Sequence, residues 1–347
     1  MTRVRALRCL FALVHGEIIE KLSSRSISDL RDDLQKLLYI GDLEALNISQ
    51  TILEFTKCNK EGLVRGLWTN HNHEPKAVKL ITDLCIDYEI HDIQLWNSLL
   101  QQLMAFNMIN YLRHILVRIS GVCHLWHISS LLRAWKSVLL QPLTTVCQPL
   151  SDEQEKQCHQ SLLLMTRCPL ISDMDMIGFS KQFLRQQMMA HALACLLIIP
   201  DVKKKEQQIK ALFSVDGCHA LILDQIANLT MKRMLLPQAE QIQGAVFENI
   251  IETDNYELLL CTSHSHQFKH YLARNQKIST LLLTLLKTSR YEESLKLIEL
   301  YYQYNPEILP ANQPATMVEK DRKKKLHMYL ESHGLMKTVE DILVEFK

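Results

Sequence analysis

Glycine and proline are scarce in this sequence, with nine of each among 347 residues. So little glycine leaves few places where backbone can close on a ligand. The chain also lacks a G-x-S-x-G elbow, a glycine-rich phosphate loop and an H-E-x-x-H helix, so an enzyme of a familiar class is not expected. An excess of one charge is missing too. Thirty-nine Lys and Arg against 38 Asp and Glu leave a net charge of +1, which offers no global attraction to nucleic acid or anionic lipid. Alternating strand patterns are hard to find anywhere. There is no C-x-x-C and no secretory leader. The opening apolar stretch, Cys9 to Val14, is short and no small-residue cleavage site follows it. The ten cysteines (9, 58, 85, 123, 147, 158, 168, 195, 218 and 261) therefore read as reduced, mostly buried thiols of a cytosolic or nuclear protein.

Long apolar runs are missing as well. The nearest approach, LWNSLLQQLMAFNMINYLRHIL from Leu95 to Leu116, has no charge before Arg113 but carries Asn97, Ser98, Gln101, Gln102, Asn107 and Asn110. A membrane span needs about 20 predominantly apolar residues, because each polar group left unpaired in hydrocarbon is costly. Insertion in a membrane is not expected. At helical spacing the segment instead shows one stripe through Leu95/Trp96, Leu99/Leu100 and Leu103/Met104. A second, out of phase, runs through Met108/Ile109, Leu112, Ile115/Leu116 and Ile119. The break at Phe106-Asn107 predicts a tight turn between two helices, since Asn tolerates the left-handed backbone at a helix end. Asp92 is placed to cap the first.

What is present is helix, all along the chain. A 47% hydrophobic content supports a real core. A helix starting at Ser28-Asp29 is expected to close at Gly41, with shorter ones through Trp68 and another from Glu74-Pro75 to about Tyr88. Others are expected from Leu125 to Leu140, stopped by Pro142, and from the capping box Ser151-Asp-Glu-Gln154, a device that Ser172-Asp-Met-Asp175 repeats. Further helices are predicted at 177–186, 188–199, 204–213, 218–229, 238–251, 254–261, 264–274, 276–288 and 291–304, with a last pair around Gly334. No fixed repeat period emerges. The fold class expected is all-α, an irregular α-solenoid of stacked helical hairpins. Its segments are 1–141, 142–305, and a Pro-bearing linker and terminal pair over 306–347, where Pro306, Pro310 and Pro314 stand. The opening helix lacks a polar capping element, as expected of a stretch that begins inside a longer array.

Few side chains hint at chemistry. His71 and His73, Cys123-His124 with His127, Cys158-His159, and His264 and His266 with His270 resemble metal ligands at first. A zinc site needs two short-spaced pairs brought together, and none has a second pair at a recognisable distance, so satisfied or solvent-facing histidines are expected. Asp173 and Asp175 read as helix-capping charge in preference to a cation site. The basic runs Lys203–Lys205 and Lys320–Lys325 lack interleaved aromatics and read as solvated helix starts. Trp96, Trp126 and Trp135 lie beside Leu and Ile and are expected in the core. No catalytic, cofactor-binding or metal residue is therefore assigned, and no cofactor.

Three stretches carry a family likeness. YEIHDIQLWNSLLQQLMAFNMINYLRHIL (Tyr88 to Leu116), PLSDEQEKQCHQSLL (Pro149 to Leu163) and DMIGFSKQF followed by HALACLLIIP (Asp175 to Pro200) resemble the C-terminal region of the Rod family, the kinetochore-associated subunit of the Rod–Zwilch–Zeste-white-ten complex. The likeness is closest over about 75 to 215, and residues 230 to 347 depart from the family pattern. It implies a piece of a helical solenoid similar to those of vesicle tethers, without the family's N-terminal β-propeller. It also implies a non-catalytic scaffold at unattached kinetochores in mitosis, with cytoplasm or nucleus as the location otherwise. Implied partners are the Zeste-white-ten subunit and a second Rod copy, while Zwilch and Spindly would bind an N-terminal part not in this chain. Spindle assembly checkpoint signalling and recruitment of Spindly and dynein are the activities implied. A tethering subunit in Golgi-to-ER transport is the alternative from the same class of solenoid, and a helical enzyme or metal protein the alternative from another.

Overall fold

The computed structural model describes residues 2–144, 150–260, 262–308 and 319–339. Helix dominates throughout, and no strand occurs among the described residues. Two compact units divide the chain, residues 1–174 and 175–347. The first holds α1 (Thr2–Leu13), α2 (Gly16–Ser23), α3 (Ile27–Glu44), α4 (Ile52–Lys57), α5 (Lys60–His71), α6 (Pro75–Asp87), α7 (Ile93–Ala105), α8 (Ile109–Ile119), α9 (Leu131–Leu140) and α10 (Asp152–Met165). The second holds α11 (Met176–Arg185), α12 (Met189–Leu197), α13 (Val202–Phe213), α14 (Cys218–Met231), α15 (Ala239–Glu252), α16 (Glu257–Leu260), α17 (Ser265–Arg274), α18 (Ser279–Lys287), α19 (Tyr291–Tyr304) and α20 (Glu319–Ser332). Within each unit a helix packs chiefly on the next one or two in the chain: α5 on α6, α6 on α7, α7 on α8 and α9, then α11 on α12, α12 on α13 and α14, and α17 and α18 on α19. That neighbour-on-neighbour packing is the solenoid principle.

The hairpin of Leu95 to Leu116 forms as its pattern demands. Leu95, Trp96, Leu99, Leu100 and Leu103 are buried on α7, and Leu112, Ile115, Leu116 and Ile119 on α8. Asp92 accepts hydrogen bonds from the amides of Gln94 and Leu95 at 2.9 and 3.1 Å. Asn107 stands at φ 54°, and the Met108 amide bonds back to the Leu103 carbonyl at 3.0 Å. This closure recurs elsewhere, mostly with residues other than Asn. Asn47, Glu89, Gln187, Arg233, Gln276 and Ser289 also sit at positive φ, and the amide after each returns to the carbonyl five residues earlier than itself, at 2.8 to 3.0 Å. Glycine is the residue that takes this conformation without strain, and an L residue there costs roughly 1 kcal/mol. A chain poor in glycine thus ends its helices with strained polar residues, and the recovered carbonyl bonds offset the strain.

Several boundaries differ from expectation. Ser26, not Ser28, caps α3 through the Asp29 amide, and α3 runs past Gly41 to Glu44 because one glycine inside a helix costs only about 1 kcal/mol. The expected helix from Leu125 starts at Leu131. Short-range bonds from Val122 to Ile128 form a 3₁₀ turn over Cys123–Leu125 instead. Ser151 makes its capping box with Gln154, but Ser172 caps nothing, and the cap of α11 is Asp175, which accepts the Gly178 amide at 2.9 Å. Pro306 opens a 3₁₀ turn, Pro306–Ile308, and the rest of the expected linker, with Pro310 and Pro314, lies outside the described residues.

Candidate functional site

In the first unit the charged side chains near the core are held by one another. Asp83 and Asp87 are one turn apart on α6, whose other faces bury Leu80, Ile81, Leu84 and Cys85. Tyr39 of α3 donates to Asp87 at 2.5 Å and Arg118 of α8 donates to it at 3.3 Å. Tyr111 of α8 donates to Asp83 at 2.8 Å. Burial and the adjacent carboxylates push both tyrosine hydroxyls above their ordinary range, so they act as donors and not as acids. Burial likewise raises the Asp83 carboxyl, only partly offset by the Tyr111 hydrogen bond. Around the same α3–α6 seam, Tyr39, Phe55 and Tyr88 cluster with ring centroids 6.0 to 6.4 Å apart, and the Lys60 ammonium lies 4.5 Å from the Phe55 ring. These groups hold helices of the first unit against one another.

A prediction follows from the Asp83 shift. A carboxyl whose folded pKa exceeds its unfolded value opposes folding while ionised, and that opposition vanishes as pH falls through the folded pKa. Asp83→Asn keeps an acceptor for Tyr111 and removes the charge. It should raise the denaturant midpoint at pH 7 and leave it unchanged at a pH below the ordinary carboxylate range. A lower midpoint at pH 7 would show that the charge stabilises the seam.

The histidines and cysteines scatter. His71 donates to Glu74 at 2.8 Å while His73 is exposed. Cys123 and His124 are exposed, with Sγ and Nδ1 3.8 Å apart, and His127 is exposed too. Cys158 is buried with its thiol directed at the Pro142 carbonyl, burial pushing it up to about 11, and His159 is buried beside it. Cys85, Cys168, Cys195 and Cys218 are buried as well, whereas Cys9 is exposed and Cys58 half-buried, against the expectation of burial; Cys147 and Cys261 lie outside the described residues. His264 is buried and turned to Asp224 at 2.7 Å, away from His266 and His270, which meet each other. Among the described residues no group of three or more His, Cys, Asp or Glu comes together to hold a metal ion.

The remaining candidates divide. Trp96 and Trp135 are fully buried, but Trp126 is 38% exposed, because its stretch is a turn rather than a helix and its indole N–H donates to the Ser120 carbonyl at 3.0 Å. Lys203 and Lys204 are exposed as expected. The second basic run is not a solvated face throughout: Arg322 reaches Glu299 at 3.3 Å and Lys325 is buried with its ammonium 5.8 Å from the Tyr302 ring. The surface features that offer contact are apolar. Leu13, Ile18 and Leu22 are exposed on α1 and α2, Leu53 on α4, Met231 at the end of α14 and Leu235 in the stretch that follows it. A cavity of about 560 Å³ opens beside α5 and the start of α7, lined by Glu61, Arg65, Ile90, Asp92, Ile93 and Leu95. No helix of the described residues is long and apolar enough to cross a membrane.

Comparison with known proteins supplies what this geometry lacks. The family model for the Rough deal protein C-terminal region matches residues 1–246. A model for mitochondrial 28S ribosomal protein S22 matches residues 197–306, overlapping the end of the first. A human protein named kinetochore-associated protein 1 is 36% identical over 303 residues, and the mouse protein of that name is 35% identical over 311. These matches cover 87% and 89% of this chain and 14% of the length of each relative.

Proposed function

This chain belongs to the family of the Rough deal (Rod) protein C-terminal region, and on that premise we propose that it is a non-catalytic scaffold segment of a kinetochore complex. The identity of 36% along 87% of the chain to a kinetochore-associated protein is the observation that carries this reading. The all-helical, neighbour-stacked units support it, since stacked hairpins expose long ridged surfaces for partner helices without needing reactive groups. In this reading the segment works inside the Rod–Zwilch–Zeste-white-ten complex, contacting the Zeste-white-ten subunit and a second Rod copy. The complex then serves spindle assembly checkpoint signalling and recruits Spindly and dynein to unattached kinetochores in mitosis, Zwilch and Spindly being bound elsewhere in the longer protein.

The test follows a tagged full-length protein through mitosis. Foci at kinetochores that brighten when microtubules are depolymerised, with Zwilch and Zeste-white-ten in the pull-down, are the expected result. Steady Golgi or ER labelling with SNAREs in the pull-down overturns the kinetochore reading and favours a vesicle tether.

A further inference from the structure

In the second unit His266 and His270 stand one turn apart on α17 with ring centroids 4.2 Å apart and their Nε2 atoms 3.0 Å apart. At that distance one ring must present Nε2–H and the other a lone pair. The other nitrogen of His270 bears on which. Its Nδ1 lies 2.8 Å from the hydroxyl of Tyr304 on α19, and the two rings meet edge to face. When Nδ1–H donates to that hydroxyl, the Nε2 lone pair of His270 points at His266. Metal-bound histidines are commonly held this way, with the far nitrogen donating to an oxygen that fixes tautomer and ring orientation.

We propose that His266 and His270 form a two-imidazole site for a divalent first-row transition ion, with Tyr304 as the positioning residue. The Zn–N distance of about 2.0–2.1 Å in tetrahedral sites puts two nitrogen ligands about 3.3 Å apart, so the rings must part by a few tenths of an ångström and turn until both Nε2 lone pairs converge on the ion. His266 moves its ring proton from Nε2 to Nδ1 through solvent, so both rings bind as neutral ligands and no net proton is released. Cavities of about 390 and 450 Å³ flank the pair, which leaves room for water at the remaining positions.

The surroundings choose among ions. Arg274, Lys269 and Lys296 line these cavities, Lys269 held by Glu293 at 2.6 Å and Lys296 near Glu292 at 3.9 Å, and no carboxylate lines them. Hard ions such as Ca²⁺ and Mg²⁺ need oxygen anions and are disfavoured, whereas imidazole suits zinc, copper and nickel.

Zinc is the probe, titrated calorimetrically into the 347-residue chain at pH 7.5 in a non-chelating buffer. One ion bound per chain is expected, with at least tenfold weaker binding in both His266→Ala and His270→Ala. Tyr304→Phe is expected to weaken binding about tenfold, the range known for outer-shell partners. His124→Ala, at the exposed Cys123-His124 pair, should leave the affinity unchanged. His266 is exposed, so its variant keeps the helical circular dichroism of the parent. No zinc uptake by the parent, or equal affinity in His266→Ala, overturns the site; equal affinity in Tyr304→Phe overturns the role given to that hydroxyl.

Discussion

Leu99→Asp is expected to abolish the cooperative unfolding of the first unit, or to lower its melting temperature by more than about 10 °C. Leu99 is fully buried in the middle of the α7 stripe, between Trp96 and Leu103. A carboxylate placed there meets apolar side chains, and burying an unpaired charge costs about 3–5 kcal/mol even after relaxation. Small-domain stabilities are about 5–15 kcal/mol, so one such change removes a large share of the total. In stacked hairpins the damage also spreads, because α7 covers the apolar faces of α6, α8 and α9. Gln101→Asp on the exposed face of the same helix is the control, and should melt within about 0.5 kcal/mol of the parent. Leu112→Asp on α8 should behave as Leu99→Asp does, since Leu112 is equally buried. Parent-like melting in either variant would show that the two stripes face water.

Phe268→Ala should be the most damaging truncation in the second unit. Its ring is fully buried on α17, 5.1 Å from the Phe247 ring and 6.0 Å from that of Tyr256. Removing a buried phenyl ring costs about 3–5 kcal/mol, part lost transfer energy and part the cavity left between α15, α16 and α17. Phe268→Leu refills most of that volume and should recover more than half of the loss, leaving chiefly the aromatic pairing, worth about 0.5–1.5 kcal/mol. Denaturant midpoints of the two variants settle the matter. Equal midpoints would mean that the space collapses freely and that no packed aromatic cluster holds these helices. The comparison with His266→Ala is instructive, because His266 lies two residues away on the same helix and its loss should leave stability nearly unchanged.

These effects bear on a scaffold directly. A protein that works by holding partners at set distances loses function when a hairpin loosens, even where no contact residue changes. Surface variants at Leu13, Leu22 or Leu235 should leave folding intact and reveal whether those exposed side chains meet a partner.

Most helices and some of their ends were legible from sequence. Apolar spacing set the faces of α7 and α8, Asp92 and Ser151 set caps within their own turns, and Tyr291–Tyr304 lies where its stripe puts it. All of these depend on residues within about four positions of each other, and such contacts form however the rest of the chain folds. The boundary at Leu131 was missed because an apolar run with few breakers reads alike as helix or as successive turns. Family membership was legible too, since three long stretches carried it without any reactive motif.

Only the tertiary structure decided which polar side chains meet. Tyr39 and Asp87 are 48 residues apart, and His270 and Tyr304 are 34 apart. Lys325 reads as one more solvated lysine of a basic run until α20 packs on α19 and buries it against Tyr302. Local spacing fixes the face a side chain occupies, but its partner depends on the rotation and offset at which two helices stack, and no short stretch of sequence carries that information.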